Sequence, residues 1–378
     1  MKKVGNTKQN GLNFSRRLRR TPFTSSVEKC GVKGFSVVNH TLLPKAFQTS
    51  IEEDYWHLNS AVQIWDVGVQ RQVEIKGPDA LKLVQFMTPR SLINMKTGSC
   101  YYIPLTDESG GMINDPVLLK HSDEHFWLSI ADSDVLLWAK GLAIGLKLDV
   151  VISEPDVWPL AIQGPLAASL LVDVFGKKIK DLKFFHFSHF EFEGTSQLIA
   201  RSGYSKASGY EIYLEGFKYG KKLWDLIWNA GTKYDLLPGC PNLIDRIEAG
   251  LLSFGNEMTN QTSPLEIGLE KYCQLDGKHD FIGKAALKKQ KAEGITKCIR
   301  GIIFDGPPCP PCAQIWHLYS NNGIKIGSVT SAVFSPRLKK NIGLALIQEP
   351  FWNDGAEVKI AVPGRVLHKA KVTALPFS

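Results

Sequence analysis

One phrase of the chain occurs twice and limits what it can fold into. V-E-I-K-G-P-D-A-L-K-L-V-Q-F begins at Val73, and L-A-I-Q-G-P-L-A-A-S-L-L-V-D-V-F begins at Leu160. In each, a short apolar strand (Gln72 to Ile75, Leu160 to Ile162) runs into Gly-Pro and then into apolar positions at helical spacing. Leu81, Val84 and Met87 are stopped by Pro89, while Leu166, Leu170 and Val174 are closed by Gly176. Proline suits a first helical turn, where its missing N–H has no intrahelical partner to lose. The repeat is too short for a solenoid. It predicts two α+β units, one nested near the other in sequence, and a chain of 378 residues has room for two or three domains.

Between the copies, C-Y-Y-I-P-L-T-D-E-S-G-G-M-I-N-D-P-V-L-L-K from Cys100 reads as strand, Gly110-Gly111 turn and strand. Asp115 stands just before Pro116, which cannot donate to a ladder, so the return strand is expected at an edge or bulge there. A second hairpin spans Ile199 to Glu215, with a polar tip bearing Tyr204, Ser205 and Lys206 between Gly203 and Gly209. Strand alternation puts Glu211 on one face and Tyr210 and Ile212 on the other. A carboxylate on an otherwise apolar strand needs a cation or a ligand offering paired N–H groups, unless the strand is exposed. Helices are predicted at Phe47 to Leu58, through Leu223, Leu226, Ile227 and Ala230 to Gly231, and from about Asn242 to Phe254. In the last, Leu243, Ile247, Leu251 and Phe254 form the buried stripe, and Arg246 and Glu248 fall off it. After a further helix in D-F-I-G-K-A-A-L at 280 to 287, a Pro-rich loop at 306 to 311 opens a region of short strands, expected to be a small barrel or sandwich.

Composition narrows the partners. Hydrophobic residues at 44% and charged residues at 22% describe a globular protein, and no apolar run approaches the roughly 18 residues a membrane helix needs. The net charge of +8 favours anionic partners, but no nucleic-acid motif accompanies it, so a small anionic substrate or cofactor is the expectation. Arg16, Arg17, Arg19 and Arg20 have no apolar segment behind them, which argues for a cytoplasmic protein without a secretory signal. Seven cysteines without framework spacing read as reduced thiols. Cys309 and Cys312 offer two ligands where a zinc site needs about four, so no metal is expected. Residues 1 to about 15 are polar and read as an arm.

Five stretches in one order carry a resemblance: G-G-M-I-N-D at 110 to 115, G-Y-S-K-A-S-G-Y-E-I at 203 to 212, R-I-E-A-G-L-L-S-F-G-N-E-M at 246 to 258, D-F-I-G-K at 280 to 284 and V-T-S-A-V-F-S-P at 329 to 336. Together they resemble the folate-dependent family typified by the aminomethyltransferase (T-protein) of the glycine cleavage system. R-R-L-R-R-T-P-F at 16 to 23, N-H-T-L-L-P at 39 to 44, D-Y-W-H-L at 54 to 58, W-D-V at 65 to 67 and P-G-C-P-N at 238 to 242 are more similar to its dimethylsulfoniopropionate demethylase branch. The hairpin tip reads Gly203-Tyr204-Ser205-Lys206-Ala207 where T-proteins read G-Y-T-G-E. Tyr204 and Val38 stand where that branch commonly has Trp and Tyr.

The resemblance implies an α+β, three-domain cloverleaf: residues 1–60 with 155–284 as a folate-binding unit, 61–154 as a second unit, and 285–378 as a β-rich barrel. It implies tetrahydrofolate as methyl acceptor, a small-molecule methyl donor, no nucleic-acid or membrane partner, and leaves room for a homodimer. By motif, Asp115 corresponds to the catalytic aspartate, Glu211 to the pterin-binding glutamate and Arg246 to an arginine near the folate, with Tyr102 and Tyr213 as ring-packing neighbours. Tyr204, Phe184, Phe185 and Val38 are the candidates to line the donor. Another sulfonium or methylated amine as donor, and aminomethyl transfer, are the alternative activities.

Overall fold

The computed structural model describes residues 15–364 and 367–377, so the expected polar arm lies, but for its last residue, outside the described residues. Each copy of the repeated phrase begins in a different sheet. Val157–Gln163 lies inside a six-stranded sheet with the order Phe187–Phe192, Thr195–Ala200, Gly209–Glu215, Val157–Gln163, Val62–Asp66, Leu236–Gly239. Its last pair is parallel and its other pairs are antiparallel. Gln72–Lys76 lies in a five-stranded antiparallel sheet with the order Val151–Ser153, Gln72–Lys76, His125–Ser129, Val117–Ser122, Cys100–Tyr102.

Alternation gives each sheet two different faces. Ile64, Ile162, Ile212 and Leu214 pack under the helices Ala167–Phe175 and Gly220–Gly231. Val73, Ile75, Phe126 and Leu128 pack under Ala80–Met87 and Val135–Leu146. The opposite faces meet each other: Cys100, Leu119 and Trp127 of the second sheet form one buried cluster with Leu198, Ala200 and Tyr213 of the first. The helices therefore face outward and the sheets inward, which brings both hairpins to the middle of the molecule.

The C-terminal region is a closed six-stranded barrel, Lys297–Phe304, Lys340–Gln348, Lys325–Ser335, Trp316–Tyr319, Glu357–Ala361 and His368–Thr373 in that order around the ring. Ile302, Phe304, Trp316, Leu318 and Val329 fill it. Closure removes the edges that short strands would otherwise expose.

Two expectations are corrected. The strand Val62–Asp66 hydrogen-bonds to Val157–Gln163 and so belongs with the first sheet, although the boundary at residue 60 assigned it to the second unit. All five of its residues are buried, so it has no solvent-exposed face to indicate which sheet it joins. The helix expected over 242 to 254 ends after six residues, Leu243–Glu248. Gly250 has φ +66°, and the N–H groups of Gly250 and Leu251 bond the carbonyls of Ile247 and Arg246, the pattern of a Schellman cap.

Candidate active site

Glu211 sits on the inward face of the first sheet, level with Ala161 and Ala200 on its neighbouring strands, and Trp65 lies one strand further along the same row. Small residues on both sides leave room above the carboxylate. It is 4% exposed, and its Oε2 accepts the Ser202 hydroxyl at 2.5 Å. Burial raises its pKa, and donation from Ser202 and Tyr213 partly opposes that. Tyr213, two residues on and on the same face, is fully buried, and its hydroxyl favours the ionised Glu211 carboxylate. The hairpin tip is tied down on three sides. Tyr204 donates to the Leu252 carbonyl at 2.7 Å, Ser205 to Gln163 Oε1 at 2.7 Å, and the Lys206 N–H to Asp245 Oδ2 at 2.8 Å.

Asp115 stands where the return strand changes sheets. Met112–Asn114 pairs with Leu105–Thr106 in a small ribbon, whereas Val117–Ser122 pairs with Cys100–Tyr102 in the large sheet. Asp115-Pro116 is the break between them, as the missing proline N–H requires. Asp115 Oδ2 accepts the Tyr102 hydroxyl at 2.8 Å. Its Oδ1 is buried with no partner among the described residues. Burial pushes the Asp115 pKa up to about 7; the Tyr102 donation opposes the shift and the nearby Glu257 charge adds to it.

The two acids border one short strand. Cys100 and Tyr102 point to the same side of Cys100–Tyr102, about 6.6 Å apart at strand rise. Glu211 acts on Cys100, whose thiol pKa is raised by burial and then by that charge, and Asp115 is bonded to Tyr102. Tyr204 and Tyr272 act electrostatically on Tyr102, and the Tyr102 and Tyr272 rings meet edge to face at 5.6 Å. Arg246 completes the cluster from the third side. It is 7% exposed although it falls off the apolar stripe of its helix. Its Nη1 reaches Glu257 Oε2 and the Leu251 carbonyl, each at 3.1 Å, and its Nη2 reaches the Ser331 hydroxyl of the barrel at 2.5 Å. Burial disfavours its charge, but Glu257 more than offsets that and the pKa is raised.

The structure does not bring every candidate together. Phe184 is 69% exposed and leans on Phe185 at 4.8 Å between ring centroids, away from the acids. Phe185 has φ 57°, turning the chain so that its ring packs against the Cys100 and Tyr213 cluster while Phe184 faces out. Two adjacent aromatics in a loop cannot be sorted by spacing alone. Val38 ends the strand Gly34–Val38, ahead of a turn with Asn39 and His40 both at positive φ. The Asn39 amide donates to the Ala131 carbonyl, and the Ala131 N–H donates to Asn114, so Val38 lies one loop away from Asp115. In the basic arm, Arg19 pairs with Glu154 and Arg20 with Glu28, while Arg16 and Arg17 are exposed.

Glu257, Tyr272 and Asp245 received no role from the sequence. Glu257 lay inside a quoted motif, and its buried partner Arg246 was the available signal. Asp245 is 1% exposed with an unpartnered Oδ1, and nothing in its spacing marks it. Among the described residues no group of three or more His, Cys, Asp or Glu side chains could hold a metal ion.

Residues 23–277 match the GCVT N-terminal domain, and residues 297–378 match the glycine cleavage T-protein C-terminal barrel domain. The chain is 45% identical over 349 residues to the dimethylsulfoniopropionate demethylase DmdA of Ruegeria pomeroyi, covering 92% of this chain and 94% of that one. It is 32% identical over 368 residues to an aminomethyltransferase of Thermoanaerobacter pseudethanolicus, covering 95% and 97%. The crystal structure of the glycine cleavage system aminomethyltransferase T from Bartonella henselae superposes with a TM-score of 0.85 at 23% identity, over 96% of this chain and 98% of that one. An inward-facing pair of sheets, a closed barrel and both family domains in sequence order place this chain in the glycine cleavage T-protein family.

Proposed function

We propose that the protein is a tetrahydrofolate-dependent demethylase, moving a methyl group from dimethylsulfoniopropionate to N5 of tetrahydrofolate and releasing 3-methylthiopropionate. What carries this reading is a pair of buried carboxylates beside one strand, Asp115 with a bare Oδ1 and Glu211 held by Ser202, in a chain 45% identical to a dimethylsulfoniopropionate demethylase.

The donor set suits a reduced pterin. Its amino-pyrimidine edge offers parallel N–H groups, and Glu211 is a buried acceptor of matching shape. The Tyr213 hydroxyl lies beside it. When bound, tetrahydrofolate supplies a secondary amine nitrogen as methyl acceptor. The leaving group from a sulfonium is a neutral thioether, so the chain needs neither a nucleophilic side chain nor a Lewis acid for this displacement. Its tasks are placement and one proton. Holding two reactants in line is worth roughly 7 to 11 kcal/mol of the barrier. Asp115, with a pKa of about 7, is suited to accept the proton the acceptor nitrogen gives up, because a general base works best near the operating pH. Tyr102 holds the carboxylate in place, and Tyr204 with Phe185 offers aromatic surface to a cationic donor.

The test is direct. Purified protein is incubated with tetrahydrofolate and dimethylsulfoniopropionate, with parallel arms containing other sulfonium compounds, methylated amines and glycine betaine, and products are read by mass. 5-Methyltetrahydrofolate together with 3-methylthiopropionate is the expected result. Product from another arm alone would replace the donor, and no methylated folate in any arm would overturn the reading.

A further inference from the structure

Arg90 is a half-buried cation with no ion-pair partner among the described residues. Its guanidinium carbon lies 4.1 Å from the Tyr101 ring centroid and 4.7 Å from that of Tyr272. Nη1 donates to the Tyr102 carbonyl at 2.6 Å. One side chain thus grips three tyrosines: the faces of two and the backbone of the third. That third tyrosine places its hydroxyl 2.8 Å from Asp115, and its ring meets Tyr272 edge to face at 5.6 Å.

The loop carrying Arg90 is itself fixed to the loop carrying Tyr272. The Gln274 N–H bonds the Pro89 carbonyl, the Ser91 N–H bonds Gln274 Oε1, and Gln85 Nε2 bonds the Arg90 carbonyl. Arg90 has a rigid base and a planar head that can stack on both rings while still donating in its own plane. Lysine can do one of these at a time.

We propose that Arg90 is a positioning residue: by clamping Tyr101, Tyr102 and Tyr272 it keeps the Tyr102 hydroxyl on Asp115 and so sets the proton affinity of that carboxylate. Tyr102 donates to the ionised form of Asp115, which favours ionisation. Loosening Tyr102 withdraws that support, and Asp115 then holds its proton to higher pH. The other groups acting on Asp115 are Glu257, which also raises its pKa, and Tyr204.

The role assigned to Asp115 rests on the folate reading, but the clamp can be tested without turnover. Carbon-13 carboxyl labelling of aspartate, with the Asp115 signal identified by its loss in Asp115→Asn, gives the titration midpoint in folate-free enzyme. In Arg90→Lys, which keeps the charge but loses the double stacking, the midpoint rises by about half a unit or more, a roughly threefold change in proton affinity. Arg90→Gln moves it at least as far, and Tyr102→Phe, which removes the donor outright, sets the upper limit. An Arg90→Lys midpoint equal to wild type, with Tyr102→Phe shifted, would overturn the proposal, since charge alone would then account for any Arg90→Gln effect. If methyl transfer is also observed, the acid limb of the kcat/KM profile shifts by the same amount. Failure of the folate reading would leave the carboxyl titration, and hence this test, intact.

Discussion

Asp115 has one oxygen filled by Tyr102 and one left bare, and this asymmetry makes two predictions. Asp115→Asn is expected to lower kcat by 100-fold or more while folate still binds, since proton transfer by a positioned base is worth roughly 10² to 10⁴; stopped-flow binding beside steady-state turnover checks it. The same change should stabilise the fold. With a pKa of about 7 in the native state and near 3.8 unfolded, Asp115 binds more protons folded than unfolded, so stability is lost as pH rises from about 4 through 7. Asp66 has the same sign: it is buried, with a pKa raised to about 7, and accepts from Thr21 and Gly68. Urea titrations should show Asp115→Asn more stable than wild type at pH 8, by on the order of 1 kcal/mol or more, with the advantage shrinking towards pH 4. Glu211→Gln keeps the shape but not the charge, and is expected to weaken folate binding about 10- to 100-fold by calorimetry. At this scale the sequence was most informative where chemistry and local geometry coincide. Asp115 precedes a proline and Glu211 interrupts an apolar strand, whereas Phe184 and Phe185 differ only in a backbone turn that no side-chain pattern encodes.

The helix Leu243–Glu248 shows how an element can be both legible and misread. Its start is marked by Asn242, whose side chain accepts from the N–H groups of Ile244 and Asp245. Its apolar spacing runs on to Phe254, but Gly250 stops it, and a cap motif overrides periodicity because it satisfies the helix-end carbonyls. Gly250→Ala would place a Cβ at φ +66° and 3.3 Å from Leu375 Cβ. It is expected to cost about 1 kcal/mol or more, read as a lower urea midpoint with unchanged slope. The early end is what frees Leu251 and Leu252 to receive Arg246 and Tyr204. The repeated phrase and the barrel strands were readable because their periodicity is local. Membership of Val62–Asp66 was not, since pairing across nearly 100 residues of chain leaves no local mark.

Across the whole molecule, two buried glutamates join the first sheet's unit to the barrel. Glu248 accepts from Tyr55 at 2.9 Å, from Ser335 at 2.5 Å and from Arg337 at 2.9 Å. Glu257 accepts from Arg246, from Ser331 at 2.5 Å and from Thr330 at 3.1 Å. Removing either carboxylate leaves an uncompensated arginine or bare hydroxyls. Glu257→Ala is expected to cost about 3 to 5 kcal/mol, and to split a single calorimetric transition as the barrel loosens first. Both glutamates lie within the stretch at 246 to 258, but nothing local marks that they act across units, because long-range partners are set by topology. Both acids are translated well before Thr330 and Ser331, the barrel residues that hold Glu257 beside Arg246 and Asp115. The surroundings of Glu257 are therefore complete only once the barrel strand that carries Thr330 and Ser331 has joined the chain, so the last region to be synthesised finishes a cluster begun by the first two.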